Sequence, residues 1–466
     1  MMWIDSLVAE IGSTTTTVSA FGGIGTSNPS FLGQGQAPTS VVEGDVRIGL
    51  EAAKGDLARC LGVEKVSAGE MLATSSAAGG LGMSVHGLVH DMTARAAKEA
   101  ALGAGAILRT LTTGRMRRGD IKRLLECRPN IILLAGGVDY GERDTALNNA
   151  ERIADLDLKV PLIYAGNVQN QDDIRLIFEN TRFDLHVTEN VYPKIDQLNV
   201  EPARRIIQNA FEDHIVHAPG MEHVREMVDG PIMPTPGAVL EAARFLYQEF
   251  GDLVVLDVGG ATTDVHSVTE GSEEISRISI SPEPLAKRTV EGDLGVFVNK
   301  DNVVELAGRE AIEKKLEVDS VSLEQLMANH PPIPRNASEL RFTEELARVC
   351  VLNAVERHAG AIRSVYGLSG KKDIAEGKDL TEVKYIVGTG GALTRLPSRV
   401  DLLAEVTKHN RHGTWLLPRE ETRVLIDNHY TLAAVGVLGQ RHPEAALALA
   451  KQSLAMTGCR SCLPRS

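Results

Sequence analysis

Residues 256–264, with the sequence LDVGGATTD, decide the fold class of this chain. They continue an apolar run that begins at Leu253, and an apolar run that ends in glycine is typical of a buried β-strand followed by a turn. Glycine lets backbone N–H groups approach an anion closely, threonine hydroxyls donate further hydrogen bonds, and an acid such as Asp257 can hold a hydrated magnesium ion. The segment therefore predicts a strand that leads into a phosphate-binding turn.

A second copy of this pattern lies near the start of the chain, as EIGSTTTTV at residues 10–18. Both copies contain, in order, an acid, a β-branched residue, glycine, two small residues, two threonines, one further residue and valine, and they are 247 residues apart. A second pair, AGGV at residues 135–138 and GGAL at residues 390–393, is offset by 254 residues when Gly136 is aligned with Gly390. Two pairs separated by about half of the 466 residues predict a duplicated architecture with two related lobes.

Short apolar runs that end in glycine recur along the chain, with helical patterns between them. The runs occupy residues 7–12, 131–137, 161–167, 253–260 and 385–391. Strands that alternate with helices predict an α/β protein. Because Ala135 and Ala165 occupy matching places 30 residues apart, we expect a parallel βαβ unit there, with its helix near residues 145–154. Longer helices are predicted over residues 91–108 and 343–365.

Charge and composition disfavour several classes of protein. The chain has 49 Lys and Arg against 62 Asp and Glu, and a net charge of −13 disfavours a protein whose main task is to neutralise nucleic-acid phosphate. No apolar run approaches the roughly 18 residues of a membrane helix, and the start MMWIDSLVAEIG lacks the pattern of a signal peptide. The five cysteines are scattered, and the CxxC pair of Cys459 and Cys462 cannot fill a tetrahedral metal site alone. We therefore expect a cytoplasmic protein whose partners are proteins or small molecules, without nucleic acid or membrane.

The loop GTGG at residues 388–391 follows the apolar run YIV. It supplies flexible backbone for the ribose and α-phosphate of a nucleotide, although such a loop alone is more often a turn. No Walker pattern GxxxxGK[ST] occurs, and the glycine clusters do not form a GxGxxG followed by the expected acid. P-loop and dinucleotide-binding classes are therefore disfavoured.

The motifs EIGSTTTT, LDVGGATTD, TVEGDLG and VGTGG occur in this order along the chain. They resemble the first phosphate, second phosphate, connecting and adenosine motifs of the actin, Hsp70 and sugar-kinase superfamily. More closely, the chain resembles the glutamate mutase accessory family, GlmL, often labelled MutL. This closer resemblance rests on TENVYP at residues 188–193, HAPG at 217–220, PTPGAV at 234–239 and TVEGDLG at 289–295, and it spans residues 5–440.

The resemblance implies an α/β fold with two related lobes of actin/Hsp70-like, RNase H-like topology, a nucleotide cleft between them and an inserted α/β segment in the first lobe. The first lobe would cover residues 1–235, the second residues 236–440, and a mobile tail residues 441–466. The implied ligands are ATP or ADP with Mg²⁺. The implied function is slow ATP hydrolysis and chaperone-like reactivation of an adenosylcobalamin-dependent mutase that retains damaged cofactor. VAEIGSTTTT and FLGQGQAPT are similar to the branch that accompanies ornithine aminomutase, which favours an aminomutase partner.

The family motifs carry over residue by residue onto this sequence. The expected phosphate contacts are Gly12, Ser13, Thr14 and Thr15 from the first lobe and Gly259, Gly260, Thr262, Thr263 and Asp264 from the second. The expected ribose and α-phosphate contacts are Gly388, Gly390 and Gly391. Asp257 would orient Mg²⁺ or the attacking water, and Asp293 of the connecting motif would help to position that water. Glu10 stands where the superfamily usually has aspartate, and its extra methylene group changes the geometry of catalysis and of the metal site that it would share with Asp257.

Two other functions remain open at this point. One is a small-molecule kinase or ATP-dependent hydrolase of the same fold, and the other is a non-hydrolysing actin-like binding protein, which Glu10 keeps open. A kinase needs a general base beside the acceptor hydroxyl, and no acid outside the phosphate motifs stands out as that base. Turnover stimulated by a small metabolite would indicate a kinase, whereas nucleotide-dependent binding to a cobalamin enzyme would indicate a reactivating factor.

Overall fold

A computed structural model describes residues 1–12, 15–41, 43–77, 81–218, 220–367, 370–409 and 413–454. The strands of these residues are, in chain order, β1 (Met2–Ile11), β2 (Thr15–Gly22), β3 (Ser30–Pro38), β4 (Val66–Ser75), β5 (Gly82–Gly87), β6 (Ile107–Thr113), β7 (Ile131–Leu134), β8 (Pro161–Tyr164), β9 (Asp184–Val187), β10 (Ile232–Pro234), β11 (Leu253–Val258), β12 (Thr263–Val268), β13 (Ala286–Glu291), β14 (Ala361–Gly367), β15 (Gly370–Glu376), β16 (Tyr385–Thr389) and β17 (Arg423–Ile426).

The α-helices of the same residues are α1 (Val46–Cys60), α2 (Arg95–Gly103), α3 (Arg118–Cys127), α4 (Asp144–Ala154), α5 (Gln171–Phe178), α6 (Glu201–Val216), α7 (Thr235–Phe250), α8 (Glu273–Ile278), α9 (Lys300–Ala307), α10 (Arg309–Leu316), α11 (Ser320–Asn329), α12 (Ala337–His358), α13 (Gly390–Arg395), α14 (Arg399–Ala404), α15 (Leu432–Leu438) and α16 (Pro443–Leu454). A π-helical turn covers His90–Ala94, and short 3₁₀ helices cover Val168–Asn170, Val224–Met227 and Glu405–Lys408.

The chain forms two compact units. Unit 1 consists of Met1–Ala238 together with two short returning segments, Ser281–Pro284 and Gln440–Ala445. Unit 2 consists of Val239–Ile280, Leu285–Gly439 and the part of the chain that follows Ala445.

The first sheet of unit 1 has the strand order β3-β2-β1-β4-β10. β2 is antiparallel to its neighbours β1 and β3, while β4 is parallel to β1 and β10 is parallel to β4. Only the second strand therefore runs against the others. The central strand β1 is buried continuously over residues 6–9, which explains why it is an apolar run and not an alternating pattern.

Unit 2 contains a sheet with the same arrangement, in the order β13-β12-β11-β16-β17. Its second strand, β12, is antiparallel to β11 and β13, while β16 is parallel to β11 and β17 is parallel to β16. The order 3-2-1-4-5 with a reversed second strand is RNase H-like topology. The predicted α/β fold with two related lobes is therefore confirmed.

A third sheet lies between β4 and β10 along the chain and belongs to unit 1. Its order is β6-β5-β7-β8-β9, and all of its strand pairs are parallel. This sheet is the inserted α/β segment that the resemblance implied. It contains the βαβ unit predicted around Ala135 and Ala165, because β7 and β8 are parallel and α4 connects them.

The alignment of Gly136 with Gly390 is wrong. Gly390 follows β16, which is the fourth strand of its sheet, and the equivalent strand of unit 1 is β4. Gly136 follows β7 of the inserted sheet instead. Both glycines follow buried parallel strands, and such strands look alike in sequence whichever sheet they join.

Two predicted helices end earlier than expected. The helix expected over residues 91–108 consists of the π-helical turn and α2, which ends at Gly103. Gly105 then adopts a φ of +88°, a left-handed conformation that ends a helix, and β6 begins at Ile107. The helix expected over residues 343–365 is α12, which ends at His358 before the chain continues as β14.

The expected tail, residues 441–466, begins with a packed helix. Helix α16 buries Ala446, Leu449, Ala450 and Leu454, so this part of the chain belongs to the core and not to a mobile tail. Residues 455–466, with Cys459 and Cys462, lie outside the described residues. None of the helices in the described ranges combines the length and the apolar character that crossing a bilayer requires.

Candidate phosphate-binding site

The two predicted phosphate turns share the same backbone hydrogen bond. In unit 2 the Gly259 amide donates to the Thr262 carbonyl at 2.9 Å, and in unit 1 the Gly12 amide donates to the Thr15 carbonyl at 3.0 Å. Each turn joins the first strand of its sheet to the reversed second strand. The sequence repeat is therefore a structural repeat at the level of one hydrogen bond. Ser13 and Thr14, which were predicted to contact phosphate, lie outside the described residues.

The carbonyl groups of the unit 2 turn are bound by the connecting segment. The amides of residues 296–298 donate to the carbonyls of Gly259 and Gly260 at 2.7–3.2 Å, and the Asn299 side chain donates to the Ala261 carbonyl at 2.6 Å. The amides of Gly260 and Ala261 have no acceptor among the described residues, and both residues are exposed. Exposed glycine-turn amides beside fixed carbonyls suit an anionic ligand.

Gly295 allows the connecting segment to approach the turn. A β-carbon at this position would overlap the backbone of Ala261. Gly295 belongs to the connecting motif TVEGDLG, where its only signal in the sequence is that it is a glycine. Gly295 is therefore a positioning residue for the turn, together with Asn299, which sequence analysis missed.

Asp257 lies half-buried at the end of β11, beside the loop that was predicted to contact the ribose and α-phosphate. In the sheet register it is opposite Thr389 of β16 and Asp264 of β12. Gly390, with a φ of +87°, lies against its carboxylate, because a β-carbon there would overlap Oδ1 of Asp257 and the backbone of Val258. Asp257 and Gly390 are therefore adjacent in the structure.

The loop after β16 is held by a buried carboxylate that sequence analysis missed. Asp427 is fully buried and accepts hydrogen bonds from the Thr389 hydroxyl at 2.9 Å and from the Thr431 and Leu432 amides at 2.9–3.0 Å. The Ser453 hydroxyl of α16 donates to the same carboxylate. This carboxylate therefore joins β16, the start of α15 and α16.

Unit 1 has an equivalent arrangement with different groups. Glu10, half-buried at the end of β1, is opposite Thr17 of β2 and Thr74 of β4. The Thr39 hydroxyl donates to the Gly12 carbonyl at 2.8 Å. Thr74 meets Thr235, the residue after the fifth strand, at 3.3 Å, in the place where Thr389 meets Asp427 in unit 2.

Three residues predicted as nucleotide contacts are engaged inside unit 2. Thr263 is fully buried and its hydroxyl donates to the Leu294 carbonyl at 2.9 Å. Asp264 forms a buried ion pair with Arg288, with N–O distances of 2.6 and 2.8 Å. Gly388 is buried, and a β-carbon there would overlap the Leu403 side chain. The structure gives these groups supporting roles beneath the turn, while Thr15, Gly260 and Gly391 are exposed and Thr262 is half-buried.

Asp293 lies in the connecting motif and is half-exposed. Both of its carboxylate oxygens accept from the guanidinium of Arg357, at 2.7 and 3.0 Å, and this contact lowers the pKa of Asp293. Arg357 also binds Glu291 at 2.8 Å. A carboxylate that is held ionised is a weak base, so Asp293 is suited to orienting a water molecule and not to taking its proton.

The described residues contain no group of three or more His, Cys, Asp and Glu side chains able to hold a metal ion by themselves. Mg²⁺ in nucleotide sites is commonly held by one or two carboxylates, water and the phosphates. Asp257 in unit 2 and Glu10 in unit 1 each supply one carboxylate of this kind, at the end of the first strand of its own sheet.

The chain belongs to the MutL protein family, because the family model of that description matches residues 6–454. Protein MutL of Clostridium tetanomorphum is 37% identical over 460 residues, which cover 96% of this chain and 98% of that protein.

Solved structures of similar architecture include nucleotide-free acetone carboxylase, with 13% identity and a TM-score of 0.39 over 93% of this chain and 70% of that one. A nucleotide-free diol dehydratase-reactivating factor has 12% identity and a TM-score of 0.39 over 94% and 99% of the two chains. At these scores neither structure adds to the fold assignment, which rests on the strand topology.

Proposed function

We propose that this chain is an ATP-binding accessory factor that reactivates an adenosylcobalamin-dependent mutase of the glutamate mutase or ornithine aminomutase type. The observation that carries the proposal is the repeated turn, which has the same hydrogen bond at Gly12 and Gly259 in two sheets of the same topology. Membership of the MutL protein family, together with the motifs shared with glutamate mutase accessory proteins, supports the choice of partner. The expected location of both proteins is the cytoplasm.

In this proposal, the turns bind ATP or ADP. The amides of Gly260 and Ala261 donate to phosphate oxygens, and the turn at residues 12–15 does the same from unit 1. Asp257 and Glu10 would hold Mg²⁺, which would neutralise phosphate charge. The exposed backbone at Gly391 faces the ribose and α-phosphate, and Asp293 orients the attacking water.

Reactivation requires that the ATP-bound and ADP-bound states differ in their affinity for the mutase. A nucleotide can shift a protein between two states only by as much as its affinities for them differ, and the partner is coupled to the nucleotide by the same free energy. We infer that hydrolysis changes the affinity for the mutase, so that the mutase changes conformation and releases its damaged cobalamin.

The test is the release of bound cobalamin. An adenosylcobalamin-dependent mutase is loaded with inactive hydroxocobalamin and mixed with this chain, and free cobalamin is measured by absorbance after filtration. We expect release when both ATP and Mg²⁺ are present. Equal release in the absence of nucleotide, or none under any condition with either mutase, would contradict the proposed role.

A matched pair of variants links that activity to the turn. In Gly295→Ala the new β-carbon would overlap the Ala261 backbone, so the turn must shift, and we expect a roughly tenfold loss of ATP affinity, about 1.4 kcal/mol. Gly292→Ala lies three residues earlier, where a β-carbon meets nothing within 4 Å, and should bind ATP like the parent chain. Equal ATP affinities for the two variants would argue against the turn as a phosphate site.

A further inference from the structure

An arginine-lined cavity lies in the inserted α/β segment, apart from the turns described above. Its volume is about 720 Å³, which is within the 300–1,000 Å³ range typical of small-molecule sites. The residues that line it are Thr113, Gly114, Arg115, Met116, Arg117, Arg118, Asp120 and Arg152. We propose that this cavity is a second anion site, one that binds a small organic phosphate or polyphosphate.

One wall of the cavity lies at the carboxyl end of an edge strand of the inserted sheet. All strand pairs of the inserted sheet are parallel, so their carboxyl ends meet at one edge. Thr113 is the last residue of β6, and the Gly114 amide donates to the Gly87 carbonyl at the end of β5, at 2.9 Å. In open α/β sheets, ligands bind outside the carboxyl ends of the strands.

The arginines of the cavity lack acidic partners. Arg115, Arg117, Arg118 and Arg152 are exposed, and none of them forms an ion pair with another described residue. Arg152 donates from Nη1 to the Met116 carbonyl at 2.9 Å, which fixes its guanidinium at the cavity wall. Four cations in one cavity repel one another, and a bound anion removes that repulsion.

The one acid that lines the cavity is already engaged. Asp120 accepts the Arg117 amide at 2.6 Å at the start of α3 and also pairs with Arg123, which does not line the cavity. Asp120 therefore caps the helix and does not neutralise the arginines. With four arginines and one aspartate, the lining of the cavity is strongly positive, although the net charge of the chain is −13.

The chemistry of the lining selects the ligand class. A guanidinium presents a planar fork of donors that matches phosphate and carboxylate oxygens, and it is favoured where a phosphate is bound by two parallel hydrogen bonds. Several such forks in one small-molecule cavity suit an anion with more than one charge. The inference does not depend on ATP binding at the turns, because none of the residues that line the cavity belongs to either turn.

Calorimetric titration of the full chain with pyrophosphate tests this site. We expect saturable binding that weakens about tenfold or more in Arg118→Gln and in Arg152→Gln. Arg128→Gln is the matched control, because Arg128 is an exposed arginine at the opposite end of α3 and should leave the affinity unchanged. Succinate, a dianion without phosphate, should bind more weakly than pyrophosphate.

The variant Gly295→Ala distinguishes pyrophosphate binding in the cavity from pyrophosphate binding at the turns. It should leave the affinity of the cavity for pyrophosphate unchanged. Loss of binding in Gly295→Ala with full binding in both arginine variants would overturn the proposal, because the ligand would then occupy the turns. An absence of saturable binding, or succinate binding as tightly as pyrophosphate, would also overturn it.

Discussion

At the scale of single residues, Gly390 is a position of the candidate site that requires glycine. Its φ of +87° is rarely adopted by residues with a β-carbon, and a β-carbon would overlap Asp257 and Val258. We expect Gly390→Ala to lower the free energy of unfolding by about 2–4 kcal/mol, measured by urea denaturation.

The neighbouring Gly391 provides the control for this prediction. It lies in the same helical turn, and a β-carbon there meets nothing within 4 Å. Gly391→Ala should therefore stay within about 0.5 kcal/mol of the parent chain. Similar losses of stability in both variants would show that the loop, and not the contact with Asp257, sets the requirement for glycine.

The positions of the turns could be predicted from sequence. Which motif residues are exposed in the turn and which are buried beside it could not. Gly259, Gly260 and Asp257 lie where the motif predicts. Thr263 and Asp264 belong to the same motif, yet strand β12 is buried along its whole length, so both side chains are bound by other groups of unit 2. Asp427 carries no local signal, because its role depends on strands and helices that are distant in sequence.

At the scale of elements, helix α1 shows how closely a helix packs on the first sheet. Leu50, Ala53 and Leu57 face the core at helical spacing. Gly35 of β3 lies directly under this helix, where a β-carbon would overlap the backbone at Ala53 and Leu57. We expect Gly35→Ala to destabilise the chain by about 1–3 kcal/mol in urea denaturation, because the helix must move away from the strand.

Gly55 lies on the exposed side of the same helix, and its replacement by alanine should have the opposite effect on the stability of the chain. A β-carbon there meets nothing within 4 Å, and alanine has the higher helix propensity. Gly55→Ala should stabilise the chain by about 0.5–1 kcal/mol. A destabilising effect of Gly55→Ala, or a neutral effect of Gly35→Ala, would contradict this packing.

The strands that end in glycine could be predicted, but their membership of sheets could not. Residues 131–134 and 385–389 are both short buried strands, and nothing local says that one belongs to an inserted sheet and the other to a lobe. The βαβ unit around β7 and β8 was predictable because its spacing is local. The pairing of β4 with β10, across the whole inserted segment, depends on contacts that a motif does not report.

At the scale of the whole molecule, buried histidines, among them His86, His266 and His358, make stability depend on pH. Burial lowers the pKa of His86 to about 4, and the pKa values of His266 and His358 well below their usual value. Arg288 lowers that of His266 further, and Lys287 and Lys378 lower that of His358. All three are neutral in the native chain near pH 6.5.

As the pH falls below about 6.5, the unfolded chain binds a proton at each of these histidines and the native chain does not. The free energy of unfolding should therefore decrease by about 1.4 kcal/mol per pH unit for each histidine, and the contribution of His86 should level off near pH 4. In urea denaturation between pH 6.5 and 4, His86→Gln should reduce this slope by the contribution of one histidine, about 1.4 kcal/mol per pH unit. Equal slopes for His86→Gln and the parent chain would contradict this account.

At the same scale, we propose that this chain of the MutL protein family binds a nucleotide at its glycine turns. Calorimetric titration with ATP and ADP, each with and without Mg²⁺, tests this claim most directly. We expect micromolar binding that requires Mg²⁺ and is lost in Asp257→Ala. Absence of binding by either nucleotide, or unchanged binding in Asp257→Ala, would contradict the assignment of the site.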